Sequence, residues 1–595
     1  MKTTTKSLII TAACVIGLAG GYVVSDKFWS TRTMPPEDNI PQVNIESNFV
    51  REWIEKTDYF RSTPYGNYLI GNFAQKEKDW DSASDYIALV LQKEKTDELL
   101  KHAMVLAMGA GEIKKGLSLA DQVLEINPQD LLATLFKAAE NFKSENYDAV
   151  LETLKPISQD SIAAFIVPVL YLWAQAAKGE LNTERLNSNT FFIYQTFMAG
   201  DFLNKKDEAL AFAAENFSLS STDIRDLEKI ADYYAIFGKI NKAKDIYGLL
   251  AKEKFASDEV KKKLAALENN QPIEKLLEMP NIKSPKDGAA QVFLSMAQIL
   301  IREQSYDSGL IFTQLSLYLN ENIQEARMLL ARILTVQEQY DDAILVYEEI
   351  PETHKKHVLA QRGIANLLVE KDEHDKAIKI LEGIYDEYQD LDALIQIGDI
   401  YRYQEDYNAA VKTYNRVVNT FETVPEEYWH VLYARGMAYE RLKKFEKSEK
   451  DLLAALEFRP DHPFLLNYLG YSWADQGINL TRAQEMINRA FEIKPDDGYI
   501  ADSVGWVHFK IGNYEDAIQY LETAVELLPY DATINDHLGD AYWKVGRKTE
   551  AEFQWKRAMN NTKENEVDLK ERILVKLSYG YMTEEKIAEY IEKKK

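Results

Sequence analysis

The sequence predicts an all-α chain in which antiparallel helix pairs stack one on another into a solenoid. The first observation is a period. A small residue recurs at Ala297, Ala331, Ala365, Gly398, Gly436, Gly470, Gly505 and Gly539, in steps of 33 to 38 residues. Periods of this size mark arrays of one supersecondary unit. The second is a scarcity of chain breakers. Glycine (26) and proline (16) make up about 7% of the 595 residues, against about 12% in average proteins. The third is size against apolar content. The chain is about four times the length of a typical domain and 46% apolar, which means several domains or a repeat array with ample core.

Within each unit the spacing specifies two helices. About twelve residues after each leading residue stands a second small one: Gly309, Ala343, Ala377, Ala410, Ser448, Ala483, Ala517 and Ala551. Four further on a large side chain often follows, as at Tyr347, Leu381, Tyr414, Leu452, Ile487, Leu521 and Trp555. Small residues at a helix crossing let the two axes approach, and the large ones fill the remaining space. Pro460, Pro495 and Pro529 close several units, because proline lacks the N–H that would extend the second helix. One such pair cannot bury its apolar face alone, so neighbours must stack.

This spacing resembles the tetratricopeptide repeat family. The best single match is Gly539, Tyr542, Ala551, Trp555 and Ala558, and the unit with Gly505, Ala517, Leu521, Ala524 and Pro529 follows, with His508 where the family carries tyrosine. The resemblance is specific over about 286–562 and implies a right-handed superhelical solenoid. The 38-residue step from Gly398 to Gly436 implies a longer loop near Val418 to Glu427, and one residue is inserted in the Gly470 unit. Residues 51–285 read as diverged repeats, since Gly71 with Ala83, Met104 with Gly116, Ala138 with Ala149, Phe197 with Ala209 and Ala231 with Ala243 keep the period on poorer motifs. A stretch with three prolines at about 269–288 reads as a segment boundary, and 563–595 as capping helices that shield the last apolar face.

The N-terminus reads as a targeting or anchoring segment. Lys2 and Lys6 precede an uncharged apolar run, Leu8 to Val24, of about 25 Å if helical. Residues 1–24 are thus expected to be an uncleaved signal anchor, with a cleaved signal peptide or a lipoprotein signal at Cys14 as alternatives. Pro35, Pro36 and Pro41 make 25–50 an extended tether. The expected location is the bacterial inner membrane, with the bulk of the chain periplasmic. Exported soluble and lipid-anchored forms are the alternatives.

Charge and motifs narrow the function. The net charge is −25, which repels phosphate backbones and disfavours nucleic-acid binding. One cysteine excludes a disulfide framework and a cysteine-based zinc site. No metalloprotease, nucleophile-elbow, P-loop or dinucleotide-binding signature occurs. His354 and His357 flank two lysines, where a metal site would want acidic or further histidine ligands. The expectation is a non-enzymatic scaffold with no cofactor and no metal.

The family resemblance also implies a working surface, because first helices line a concave groove. On the last four units the positions assigned to that face are Tyr433, Met437, Asn467, Tyr471, Asp502, Trp506, Phe509, Asp536, Asp540 and Trp543. Aromatics can anchor apolar peptide side chains and the acids favour a basic or neutral ligand. Asn467 fits the carboxylate clamp of one subclass, but Asp502, Asp536 and Asp540 stand where cations would help, so clamp function is rejected. The sequence thus predicts a cell-envelope scaffold that binds basic or apolar protein segments in assembly or secretion. The rivals are an enzyme or enzyme subunit with its site in 51–285, and a membrane-tethered cytosolic adaptor.

Overall fold

The computed structural model describes residues 63–157, 162–217, 227–252, 257–277, 279–563 and 566–594. Among them the regular elements are thirty α-helices and two 3₁₀ turns, with no β-strand. The apolar run 8–24, Cys14 and the tether lie outside the described residues. None of the described helices is long and apolar enough to cross a membrane. The chain divides into two units, the first ending at Leu367 and the second beginning at Leu368. The proline-bearing stretch 269–288 lies inside the first.

The first unit is built from helix pairs such as Pro64–Lys76 with Trp80–Leu91, Asp97–Gly109 with Ile113–Ile126, and Leu227–Ile236 with Ile240–Leu250. Ala163–Ala176 and Asp258–Glu268 have no second helix, and irregular chain follows each. Side-chain oxygens start many of the helices: Thr63, Asp79, Thr96, Asp130 and Asn146 each accept an amide N–H of the first turn. Each pair reverses through one left-handed residue, at Lys78, Gly111, Glu145, Asn204, Gly238, Gln304 and Glu338. Only three residues join the helices of each pair, so the backbone must take this conformation to turn back.

This unit also closes on itself. A Cβ on Gly288 would lie 2.1 Å from the Trp173 ring, so the Trp173 side chain of Ala163–Ala176 packs directly on the backbone of the Pro285–Arg302 helix. Lys78 Nζ pairs with Asp307 (2.8 Å), Trp80 Nε1 donates to Gln337 Oε1 (3.4 Å), and Gln339 Nε2 donates to the Lys78 carbonyl. A half-open cavity of about 630 Å³ remains there, lined by Gln75, Lys78, Trp80, Asp307 and Gln337 among others.

The second unit carries the regular repeats. Its pairs are Leu391–Tyr403 with Tyr407–Val418, Trp429–Arg441 with Phe445–Phe458, Pro463–Asp475 with Leu480–Ile493, Gly498–Lys510 with Tyr514–Leu527, and Ala532–Lys544 with Lys548–Asn561. Val567–Tyr579, hereafter the capping helix, and Glu584–Lys594 follow. The small and large positions meet as the spacing requires. A Cβ on Gly398 would lie 2.4 Å from Tyr414, and one on Gly539 2.5 Å from Trp555. Gly436, Gly470 and Gly505 face Leu452, Ile487 and Leu521 in the same way. The longer loop expected after Val418 is present and holds the 3₁₀ turn Glu426–Tyr428.

Candidate functional site

The last three first helices bring six of the sequence-predicted groove residues into one cluster. Pro463–Asp475 supplies its edge, Gly498–Lys510 contributes Asp502, Trp506 and Phe509, and Ala532–Lys544 contributes Asp536, Asp540 and Trp543. Trp506 and Phe509, three apart on one helix face, stack nearly parallel with centroids 4.9 Å apart. His537, from Ala532–Lys544, stacks on Trp506 with centroids 3.8 Å apart. Its Nδ1 lies 2.9 Å from Asp502 Oδ1. Trp506 Nε1 donates to Asp475 Oδ1 at 3.5 Å.

These residues do not line an open groove. Trp506 and Phe509 are each 6% exposed, Asp502 6%, Asp536 4% and Asp540 3%. His537 covers Asp502 and Trp506, and the chain's own C-terminal segment covers Asp536, Asp540 and Phe509. Lys576 on the capping helix donates from Nζ to Asp536 Oδ2 (2.7 Å) and Asp540 Oδ2 (2.8 Å), and is itself buried. After Tyr579 the backbone turns at Gly580, with φ +83, directly against Trp543. A Cβ there would lie 2.2 Å from the Trp543 ring, so glycine is needed for the turn and for the close approach. Tyr581 then reaches Phe509, 5.8 Å between centroids, and Lys544 Nζ lies 4.1 Å over the Tyr581 ring.

Burial and charge compete inside this cluster. Burial pushes the Asp540 carboxyl up to about 6, the Lys576 charge pulling against it and Asp536 adding to it. For His537 burial disfavours the imidazolium, but Asp502, by charge and hydrogen bond, with Asp536 and Asp540, holds it above its ordinary value. Lys576 is likewise held above its ordinary value against burial by Asp536 and Asp540.

Part of this chemistry is a repeated packing device. Trp555 Nε1 donates to Asp540 Oδ1 (3.0 Å), fifteen residues apart. At the same separation Tyr414 Oη donates to Asp399 Oδ1 (2.7 Å), and in the first unit Tyr247 Oη donates to Asp232. Asp232 also takes Lys263 Nζ at 3.1 Å from the following first helix, as Asp540 takes Lys576. The aspartate beside the leading small residue is thus bound by an aromatic donor of its own pair. Asp502 and Asp536, one turn earlier on their helices, fall outside that device.

The other predicted groove residues lie nearer the start of the unit. Tyr433 packs edge-on to Tyr468 (6.0 Å), and Tyr468 Oη donates to Glu440 (3.0 Å). Asn467 is half-buried and its Oδ1 has no hydrogen-bond partner. Tyr471 is half-buried against the core that contains Trp506. Met437 is half-buried. Sequence reasoning missed Lys576 and Tyr581. The available signal was a single lysine inside the apolar run ILVKLSY of a segment read only as a cap. His354 and His357 bond backbone atoms, and among the described residues no group of three potential metal ligands exists.

Comparison with known proteins matches the tetratricopeptide repeat family model to residues 395–463 and 480–559. The TPR repeat-containing protein PA4667 of Pseudomonas aeruginosa is 34% identical over 110 residues, 18% of each chain. The BBSome complex member BBS4 of Bos taurus is 26% identical over 116 residues, 19% of this chain and 21% of the relative. The chain thus spans about a fifth of the length of each curated relative it matches. Among solved structures, yeast Tom70 aligns over 89% of this chain and 99% of its own, at 14% identity and a TM-score of 0.33.

Proposed function

We propose that the chain, whose residues 395–463 and 480–559 match the tetratricopeptide repeat family, is a non-enzymatic scaffold of the bacterial cell envelope that holds partner proteins on the first-helix face of its C-terminal unit. The observation that carries the reading is the row of aromatics on successive first helices: Tyr433, Tyr471, then the Trp506–Phe509 stack. Tyr433 and Tyr471 are half-buried on their first helices, and partly exposed tyrosines of this kind can anchor apolar segments. Helix pairs across most of 64–268 support a scaffold there rather than an active site. The envelope setting rests on the apolar run 8–24 behind two lysines.

Site-specific photo-crosslinking in cells tests it. A crosslinker at Tyr471 should trap a discrete protein partner, and one at the outward-facing Phe553 (61% exposed) should not. A reporter-fusion assay should place the C-terminus outside the cytoplasm. Equal capture at both positions would sink the groove reading, and a cytoplasmic reporter signal would move the protein to the adaptor alternative.

A further inference from the structure

We infer that Lys576 and Tyr581 occupy, in cis, a lysine-and-aromatic recognition site of the last two repeats, and that a partner segment bearing the same two side chains displaces them. This deepens the partner-binding reading above and rests on it. Three observations converge. The occupied residues are first-helix side chains: Asp536, Asp540 and Trp543 on Ala532–Lys544, and Phe509 on Gly498–Lys510. The occupant is peptide-like, because from Gly580 to Thr583 the chain is not helical and runs back across two repeats. The site also holds capacity beyond its occupant, since Asp536 Oδ1 is buried without a hydrogen-bond partner.

The fold places this contact where opening is easiest. An array ends with a helix supported on one side only, so its last element opens before the interior. The capping helix buries Leu569 and Ile573 in the core around Trp555, but leaves Val567, Leu574 and Tyr579 exposed, and its contact with the aspartates is an ion pair. A buried ion pair adds little net stability, because desolvation offsets the attraction, yet it discriminates strongly among occupants. Lys263 makes a similar contact to Asp232, but it sits in mid-unit with chain continuing on both sides. Uncovering the C-terminal site would leave Asp502, Asp536 and Asp540 beside an aromatic floor. That chemistry takes a lysine, followed by an aromatic about one helical turn or a short extended step away.

The test uses the full chain and, as probe, a fluorescent peptide with the sequence of residues 567–583. Lys576→Ala with Tyr581→Ala should bind the peptide at least tenfold more tightly than wild type, because the internal competitor is gone. Adding Asp536→Asn and Asp540→Asn should return binding to the wild-type level, and Lys576→Arg with Tyr581→Phe should keep the site closed. In wild type, amides of 580–583 and the end of the capping helix should exchange at least tenfold faster than those of Gly498–Lys510. Equal peptide affinity in wild type and the loosened variant overturns the inference. So do equal exchange rates, which decide the matter even if the variant loses helical content. Peptide binding lost while Tyr471 still crosslinks a partner removes this inference alone. Peptide binding at Asp536 and Asp540 with no partner at Tyr471 removes the scaffold reading alone.

Discussion

The two units use the same helix pair and secure it differently. In the first unit, side chains join residues 229 and 257 positions apart, Lys78 to Asp307 and Trp80 to Gln337. In the second, the ion pair from Lys576 to Asp536 joins residues 40 apart, and pairs such as Arg435–Asp451 are closer still. Long-range closure costs chain entropy that is recovered only when all the intervening elements are in place. The first unit should therefore order as a whole, while the second can open from its end. The inner faces differ accordingly. Trp80, Trp173 and Gln337 are committed to contacts within the first unit. Tyr433 and Tyr471 of the second remain half-exposed, and its final residues are covered only by the tail.

The sharpest way to break this contrast is Trp173→Ala. Trp173 is fully buried, donates to Gln195 Oε1 (3.0 Å) and fills the space against Gly288. Removing it should destabilise the first unit by about 3–5 kcal/mol. Hydrogen exchange should speed up at both Pro64–Lys76 and Gln324–Val336, which Trp173 does not touch, and stay unchanged at Gly498–Lys510. Loosening confined to 163–202 would mean that the closure is not cooperative.

A second test sets two buried histidines against each other. His102 in the first unit is buried, bonded to Gln75 Oε1 (2.7 Å), and desolvation lowers it to about 4. Its folded value lies below the unfolded one, so the stability it carries is present above about 6.5 and is lost as pH falls toward 4, on the order of 3 kcal/mol in all. His537 has the opposite sign. It is held above its ordinary value, faced by Asp502, Asp536, Asp540 and Lys576, so the stability it carries is present at low pH and is lost as pH rises through the folded value. Asp540, raised to about 6, works the same way, because between about 4 and 6 the folded form binds more protons. Lowering pH from 7.5 to 5 should speed exchange in Asp97–Gly109 and slow it in Ala532–Lys544. His102→Gln and His537→Gln should each flatten their own response. Parallel responses in the two helices would refute the assignment.

Much of the second unit was legible because its physics is local. Gly539 against Trp555 and Gly505 against Leu521 are relations within one helix pair, so spacing alone reveals them. The first unit hid its period because Met104 and Phe197 stand at leading positions where the later repeats carry small residues, and because Ala163–Ala176 and Asp258–Glu268 interrupt the pairing. Its closure was invisible, since nothing in the sequence near Trp173 points to Gly288. The site was half legible. The aromatic and acidic positions could be counted, but their covering rests on a lone lysine of the capping helix, Lys576, and on Tyr581 beyond a turn at Gly580, which no repeat spacing encodes.

Within the second unit, Ala517→Trp probes how far damage travels. Ala517 is fully buried and its carbonyl would lie 3.1 Å from a Cβ on Gly505, so there is no room for a ring. Overpacking should cost about 1–3 kcal/mol. Exchange should quicken in the flanking repeats and fade upstream toward Leu391–Tyr403, as a nearest-neighbour array requires. Uniform loosening to Leu391 would show that this unit is as cooperative as the first.

The smallest expected effect isolates the ion pair that closes the first unit. Lys78 and Asp307 are 34% and 44% exposed, so solvent and salt screen them, and the pair should contribute only about 0.2–1 kcal/mol. Lys78→Met removes the charge and keeps the backbone, which has φ +64 and whose carbonyl accepts from Gln339. It should lower the first-unit Tm slightly at low salt and not at all near 1 M salt. Lys78→Gly removes the same charge but relieves the left-handed strain, at the cost of a more flexible unfolded chain. The two backbone effects are of similar size and opposite sign, so Lys78→Gly should track Lys78→Met to within about 0.5 kcal/mol. A loss above about 2 kcal/mol in the methionine variant, unchanged by salt, would mean that closure hangs on this contact rather than on the buried Trp173–Gly288 packing.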